Sequence, residues 1–273
     1  MKLLVLLFAA VTALPGQPAQ FFLQMSDPQF GMYSQNQGFA QETANFEFAI
    51  ATANRLRPAF VIVTGDMVNQ PGAAGQVAEY QRIAATLDRS IPIHHVAGNH
   101  DVGGAPTAES LAFYRSRLGP DYYTFRSGDV AVFVLNSALI VAPENVPEEA
   151  ARQEAWLESE LAKARAAGAG RLLVFQHHPL FLKDPGEPGQ YFNVPLAARQ
   201  RFLALFHNYG VSHVFAGHYH RNALAPDGNL EMTTTGPVGK PLGAERSGMR
   251  VIAVTKAGVE HKYYDFGKLP SGL

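Results

Sequence analysis

Phe21-Phe22-Leu23-Gln24-Met25-Ser26-Asp27-Pro28-Gln29 decides how the rest of the chain is read. A short apolar run stops at a turn that carries a carboxylate and an amide. Runs of that length bounded by Gly, Pro, Asn and Asp read as buried strands. The arrangement recurs along the chain. Ala59 to Val63 leads into Gly65-Asp66 and on to Asn69, and Ile91 to Val96 leads into Gly98-Asn99-His100-Asp101. Leu172 to Phe175 leads into His177-His178-Pro179, and Val211 to Phe215 into Gly217-His218-Tyr219-His220. Polar loops at the carboxyl ends of such strands converge on one edge of a sheet, where α/β proteins place their sites. The pattern therefore predicts that scattered acids, amides and imidazoles meet at one place.

Between these strands the apolar period changes from two to three or four. Phe39, Thr43, Phe46, Ile50 and Ala53 form one helical stripe closed by Arg57-Pro58, and Val77, Tyr80, Ile83, Ala84 and Leu87 form another. Thr107 is a candidate cap for a helix carrying Leu111, Tyr114 and Leu118. Pro147 and Pro195 each open a further helix. Alternating strands and helices imply parallel pairing in the first half. After His220, Glu231 to Thr235, Met249 to Val254 and Val259 to Tyr264 read as successive strands joined by Gly-rich turns, hence antiparallel. The expected fold is α/β, with two mixed sheets face to face and helices outside.

The chain has 273 residues, 47% hydrophobic and 16% charged, which suits one large globular domain. A net charge of −1 gives no footprint for nucleic acid. The absence of cysteine excludes disulfides, thiolate metal sites and a cysteine nucleophile. Met1-Lys2, the apolar run Leu3 to Leu14 and the small residues before Ala19 describe a secretory signal peptide, too short for a membrane span. Residues 1–19 are thus expected to be a removed leader and 20–273 the functional domain, exported and free of the membrane once the leader is cleaved.

The polar loops suit metal chemistry. Asp27 and Gln29 are two residues apart, so in an extended segment they share one face, and His218 and His220 have the same spacing. Asp66 has two oxygens with which to bridge two ions. Asn99 offers an amide oxygen and His177 an imidazole. Oxygen donors mixed with imidazoles suit manganese, iron or zinc.

In order and separation, "GD" (65–66), "GNHD" (98–101), "HHP" (177–179) and "GHYH" (217–220) resemble the calcineurin-like metallophosphoesterase family. "SDPQFG" (26–31), "PTAES" (106–110), "VFQHHPLF" (174–181), "GHYHRNA" (217–223) and Met249 to Phe266 are similar to a narrower group, the calcineurin-like phosphoesterase domain-containing serine/threonine phosphatases. The resemblance spans about Phe21 to Phe266. It implies one metal held by Asp27, Gln29, Asp66 and His220, and a second by Asp66, Asn99, His177 and His218. It gives His100 the part of an acid that protonates the leaving oxygen or stabilises the phosphoryl charge, and leaves His178 in a variable place. The implied activity is hydrolysis of phosphomonoesters, on small esters or phosphoproteins, by a hydroxide shared between the two metals. Two rivals are a nucleotide or cyclic-nucleotide phosphodiesterase and a metal-bearing binding protein without catalysis. Two departures stand out: Gln29 replaces the wider family's usual His, and Asn69 stands where related phosphatases often carry an Asp that orients the catalytic His. Asn69 or Asp101 is the expected partner of His100.

Overall fold

A computed structural model of the chain describes residues 20–272. The expected leader, residues 1–19, lies outside the described residues. The strands are β1 (Gln20–Met25), β2 (Val61–Val63), β3 (Ile93–His95), β4 (Tyr123–Ser127), β5 (Val130–Val134), β6 (Arg171–Phe175), β7 (His213–Ala216), β8 (Ala223–Asp227), β9 (Leu230–Thr234), β10 (Gly248–Val254) and β11 (Val259–Asp265). The helices are α1 (Ala40–Leu56), α2 (Ala74–Ala84), α3 (Asn99–Val102), α4 (Ala108–Leu118), α5 (Ala138–Val141), α6 (Pro147–Ala166) and α7 (Leu196–Tyr209). They build two mixed sheets, ordered β11-β10-β1-β2-β3 and β4-β5-β6-β7-β9-β8.

The two-residue period of the strands sets the layers. Phe22 and Ile62 point inward and meet Val132, Val134, Leu173, Phe175 and Phe215 of the other sheet. Their neighbours Leu23, Met25, Val61 and Val63 point outward, onto Phe46 and Ile50 of α1, Tyr80 of α2 and Tyr114 of α4. On the far side, Phe133, Leu172, Val174 and Val214 pack on Leu157 and Leu161 of α6 and Phe202 and Phe206 of α7. Both faces of both sheets are thus covered, as continuous apolar runs require. Gln24 is the polar exception inside β1. It is fully buried and satisfied, its amide donating to Thr64 Oγ1 and the Ala216 carbonyl and accepting from Thr235 Oγ1. That ties β1 to the second sheet beside the ligand loops.

The expected strands and helices are present, with Thr107 accepting from Ser110 N at the start of α4 and Pro147 in the first turn of α6. The chain after His220 differs from expectation. Leu230–Thr234 does not pair with the strand that follows it; it runs parallel to β7 in one sheet, while β10 and β11 form an antiparallel pair in the other. Gly-rich connections allow a hairpin but equally a crossing between sheets, and packing chose the crossing. The β4–β5 hairpin, closed by Gly128-Asp129 with Ser127 opposite Val130, was not legible in the sequence. No helix among the described residues is long and apolar enough to cross a membrane.

Candidate metal centre

The loops leaving β1, β2, β6 and β7, together with the short α3 after β3, deliver all seven expected ligands to one buried place. Asp27, Gln29, Asp66, His177, His218 and His220 are almost inaccessible, and Asn99 is close to it. One group of donor atoms comes from Asp66, His177 and His218, and a second from Asp27, Asp66 and His220. Asp66 belongs to both.

The backbone reaches this arrangement in a way the two-residue spacing did not foretell. Asp27 (φ 47°), Gln29 (φ 41°), Asp66 (φ 51°), His218 (φ 67°) and His220 (φ 53°) are all left-handed. Neither pair is on an extended segment; each ligand sits on a tight turn that throws its side chain across the sheet edge. Such conformations cost on the order of 1–3 kcal/mol each and persist only where the surroundings over-determine them. Here they do. Asp27 N donates to Gly65 O, Gln29 N to Asp66 O, and His218 N to the Asp27 carboxylate. The glycines of the motifs serve close approach. A Cβ at Gly98 would overlap Asp66 N and Oδ1, and one at Gly217 would overlap Ser26 Oγ.

Each imidazole has one nitrogen committed, which settles the one left for a metal. His177 Nδ1–H donates to the Thr64 carbonyl (2.8 Å), leaving Nε2 3.2 Å from Asp66 Oδ2 and 3.0 Å from Asn99 Oδ1. His220 Nδ1–H donates to the Lys240 carbonyl (2.6 Å), leaving Nε2 3.4 Å from Asp27 Oδ1. His218 Nε2–H donates to the Tyr191 carbonyl (2.9 Å), leaving Nδ1. Gln29 Nε2 donates to Asn69 Oδ1 (3.2 Å), while its Oε1 is buried with no hydrogen-bond partner. A buried carbonyl oxygen without a donor is costly, and a cation removes the cost. The residues present fit a pair of metal ions.

The electrostatics agree. Burial would push Asp66 up, but the His177 imidazole, with His100 and His218 behind it, holds its carboxyl below the usual carboxylate range. Burial pushes His218 down to about 3, with His177 adding to the effect. Burial opposes a proton on His177, yet the carboxylates of Asp66 and Asp27 push it up to about 9. A metal taking Nε2 must therefore displace a proton at neutral pH. Below about pH 9, affinity at the His177 set is expected to rise with pH, by about tenfold per unit for one displaced proton. Calorimetric metal titrations between about pH 6 and 8 in two buffers of different ionisation heat check this; an affinity flat in pH, with no proton released, contradicts it.

His100 stands apart from the donor groups. Its backbone N–H donates to Asp66 Oδ1 (2.8 Å), and its Nδ1–H donates to the backbone carbonyl of Asn69 (2.6 Å). Neither expected side chain, Asn69 or Asp101, is the partner of the His100 ring. The Asn69 side chain holds Gln29, and Asp101 accepts backbone N–H groups from Met67, Val68 and Gly98, pinning the β2 and β3 loops together. A main-chain carbonyl thus replaces the carboxylate as the group that orients His100, and its Nε2 is free of protein partners among the described residues.

Two contributors, Tyr191 and Ser137, escaped the sequence. Tyr191, 67% exposed, lies with its ring 4.9 Å from that of His218, and its carbonyl accepts from His218 Nε2. The segment leading to it, Lys183 to Gln190, reads in the sequence as a flexible surface loop from its Gly and Pro content, or as a rim of the substrate cleft because it follows His177 closely; it is tightly organised. Glu187 accepts from Leu182 N, Lys183 N and Asn193 Nδ2, and the buried Arg199 donates to the carbonyls of Pro185, Glu187 and Val194. Ser137, after β5, receives the backbone N–H groups of His177 and His178. A further His213–Glu231–His261 group lies at the far end of β7. There Arg250 donates to His261 Nδ1 (2.9 Å), which leaves His261 Nε2–H to donate to Glu231, so both ring nitrogens are committed.

Comparison with known proteins agrees with this geometry. The family model described as calcineurin-like phosphoesterase matches residues 22–222. The serine/threonine-protein phosphatase CPPED1 of Bos taurus is 36% identical over 264 residues, covering 91% of this chain and 84% of that protein. Its Homo sapiens counterpart is 35% identical over 265 residues, again covering 91% and 84%. A dimetal phosphatase from Danio rerio superimposes with a TM-score of 0.65 at 15% identity, covering 91% of this chain and 100% of that one, a likeness of fold. Domain match, identity along most of the chain and the donor groups meeting at Asp66 place this chain in the calcineurin-like phosphoesterase family of phosphoric ester hydrolases.

Proposed function

We propose that the protein is a phosphomonoesterase whose substrates are phosphoserine or phosphothreonine side chains or small alkyl phosphates of the same chemistry. The observation that carries this reading is His100. It is locked by one nitrogen to Asn69 O and beside Asp66 through its own backbone N–H, yet its other nitrogen is unused by the protein. A binding protein has no need of such a group; a leaving alkoxide does.

Two divalent ions held by Asp27, Gln29, Asp66, Asn99, His177, His218 and His220 would supply an acidified water and Lewis-acid contacts to the phosphoryl oxygens. The chain's own residues set the rest. Thr64 O, Lys240 O and Tyr191 O fix the rings of His177, His220 and His218, so the donor geometry is organised before substrate arrives. His100 Nε2–H protonates the leaving oxygen. Gln29 puts a neutral, hard oxygen at the first position, which favours manganese or iron there over zinc.

A panel of phosphoserine and phosphothreonine peptides, an alkyl phosphate, an aryl phosphate, a cyclic nucleotide and a bis-aryl diester, assayed in added manganese, tests the reading, alongside metal analysis of the purified protein. Faster turnover of the diesters than of all monoesters would transfer the proposal to the phosphodiesterase rival. No turnover of any ester by metal-loaded protein would leave the binding-protein rival. We also propose export, on the leader motif Met1 to Ala19. The mature protein is expected to begin between Leu14 and Phe21, and intact-mass measurement finding Met1 on soluble cytoplasmic material would overturn that.

A further inference from the structure

His178, the second residue of the "HHP" motif, takes no part in the donor groups, yet its position is closely specified. Ser137 Oγ accepts the backbone N–H of His177 (3.1 Å) and of His178 (2.8 Å) and also lies 2.8 Å from His178 Nδ1. A hydroxyl has two lone pairs and one hydrogen. Both lone pairs are taken by the backbone donors, so the hydrogen goes to Nδ1. The imidazole is therefore held as an acceptor at Nδ1, and its remaining proton sits on Nε2. That N–H has no hydrogen-bond partner among the described residues, although the side chain is only 4% exposed. The Nε2 atom is not among the fully buried polar atoms that lack a partner, so this donor, unused by the protein, is open to an acceptor brought by a ligand. The ring lies 4.3 Å from that of His218 and 5.1 Å from that of His177, within electrostatic reach of Asp66 and His100. With Nδ1 turned back to Ser137, Nε2 is the ring nitrogen that keeps contact with solvent.

We propose that His178 is a further catalytic residue of this site, donating a fixed, uncharged N–H to a phosphoryl oxygen of the bound ester. The assignment rests on the phosphoesterase reading above for its role in turnover. Its binding part stands on the Ser137 hydrogen-bond count alone. A donor fixed in direction before substrate arrives reorganises little when charge moves onto the phosphoryl oxygens, which is the condition for strong transition-state stabilisation. Its neutrality separates it from His100: it cannot serve as the leaving group's acid without losing the donor it presents.

The test uses the metal-loaded full-length protein and its His178→Phe and His178→Gln variants. Phe keeps a flat ring without the donor, and Gln restores a neutral N–H. Three quantities are read: metal content, orthophosphate binding by calorimetry, and turnover of an aryl and an alkyl phosphate. His178→Phe is expected to keep both metals, bind orthophosphate roughly 10–100-fold more weakly and lose roughly 10²-fold in kcat. The kcat loss should be alike for aryl and alkyl leaving groups, and His178→Gln should recover part of both losses. Loss of metal in step with activity in both variants overturns the proposal, because His178 would then be a support for His177. Unchanged orthophosphate affinity in His178→Phe overturns it too, as does a parent protein that binds no orthophosphate. A parent that turns over no ester but binds orthophosphate through His178 would sink the hydrolase reading while upholding the donor.

Discussion

Asp66→Asn is expected to strip most of the bound metal and nearly all turnover from a protein that still folds. Asp66 is the one residue shared by both donor groups. The seven candidate ligands include only two carboxylates, Asp27 and Asp66, so the substitution removes half the negative charge that faces two cations. It also weakens one of the two oxygens required for bridging. The remaining hydrogen bonds predict where the damage stops. The introduced amide keeps a side-chain oxygen able to accept the His100 backbone N–H, which lies 2.8 Å from Asp66 Oδ1, and the apolar layers around β2 are untouched. Metal per chain after dialysis, measured by plasma emission, should fall far below the parent value. Turnover should drop by more than about 10²-fold, beyond the 10–100-fold typical of outer-shell groups. Two retained ions with parental turnover would remove Asp66 from the centre.

His100→Ala separates catalysis from metal binding. The hydrogen bond from His100 to Asp66 is made by the backbone N–H, which alanine keeps, and no ring nitrogen of His100 belongs to a donor group. Both metals should therefore stay while kcat on an alkyl phosphate falls by roughly 10²–10⁴-fold, the range for loss of a general acid. An aryl phosphate, whose leaving group needs little protonation, should lose much less. That leaving-group dependence distinguishes His100 from His178, for which the loss should be alike on both esters. His177→Ala should behave oppositely to His100→Ala, losing metal first and activity as a consequence. Parallel metal loss in the His100 and His177 variants would show that His100 is a ligand, and an undiminished alkyl phosphatase rate would end its role as the acid.

The sequence by itself determined where the candidate ligands lie in the chain and what kind of layer carries them. Strand period, apolar run length and the Gly, Asp, Asn and Pro that end each run are local properties. They sufficed to place Asp27, Gln29, Asp66, Asn99, His177, His218 and His220 on loops that follow strands and to indicate mixed sheets under helices; that these loops leave two different sheets, β1 to β3 in one and β6 and β7 in the other, was decided by the packing of the sheets. Tertiary structure alone decided the rest, because the rest depends on atoms distant in the chain and on backbone groups that every residue shares. The left-handed turns at five ligands are held by contacts such as His218 N to Asp27, 191 residues apart. The nitrogen each histidine keeps free depends on carbonyls of Thr64, Lys240, Tyr191 and Asn69, and a carbonyl's direction leaves no mark in composition. For the same reason Asn69 reads as a weakened substitute for a carboxylate, yet its backbone oxygen orients His100 while its side chain turns Gln29. Ser137 became visible only when the parallel pairing of β5 with β6 set it beside His177 and His178. Packing between the sheets, and not turn chemistry, sent Leu230–Thr234 to the side of β7.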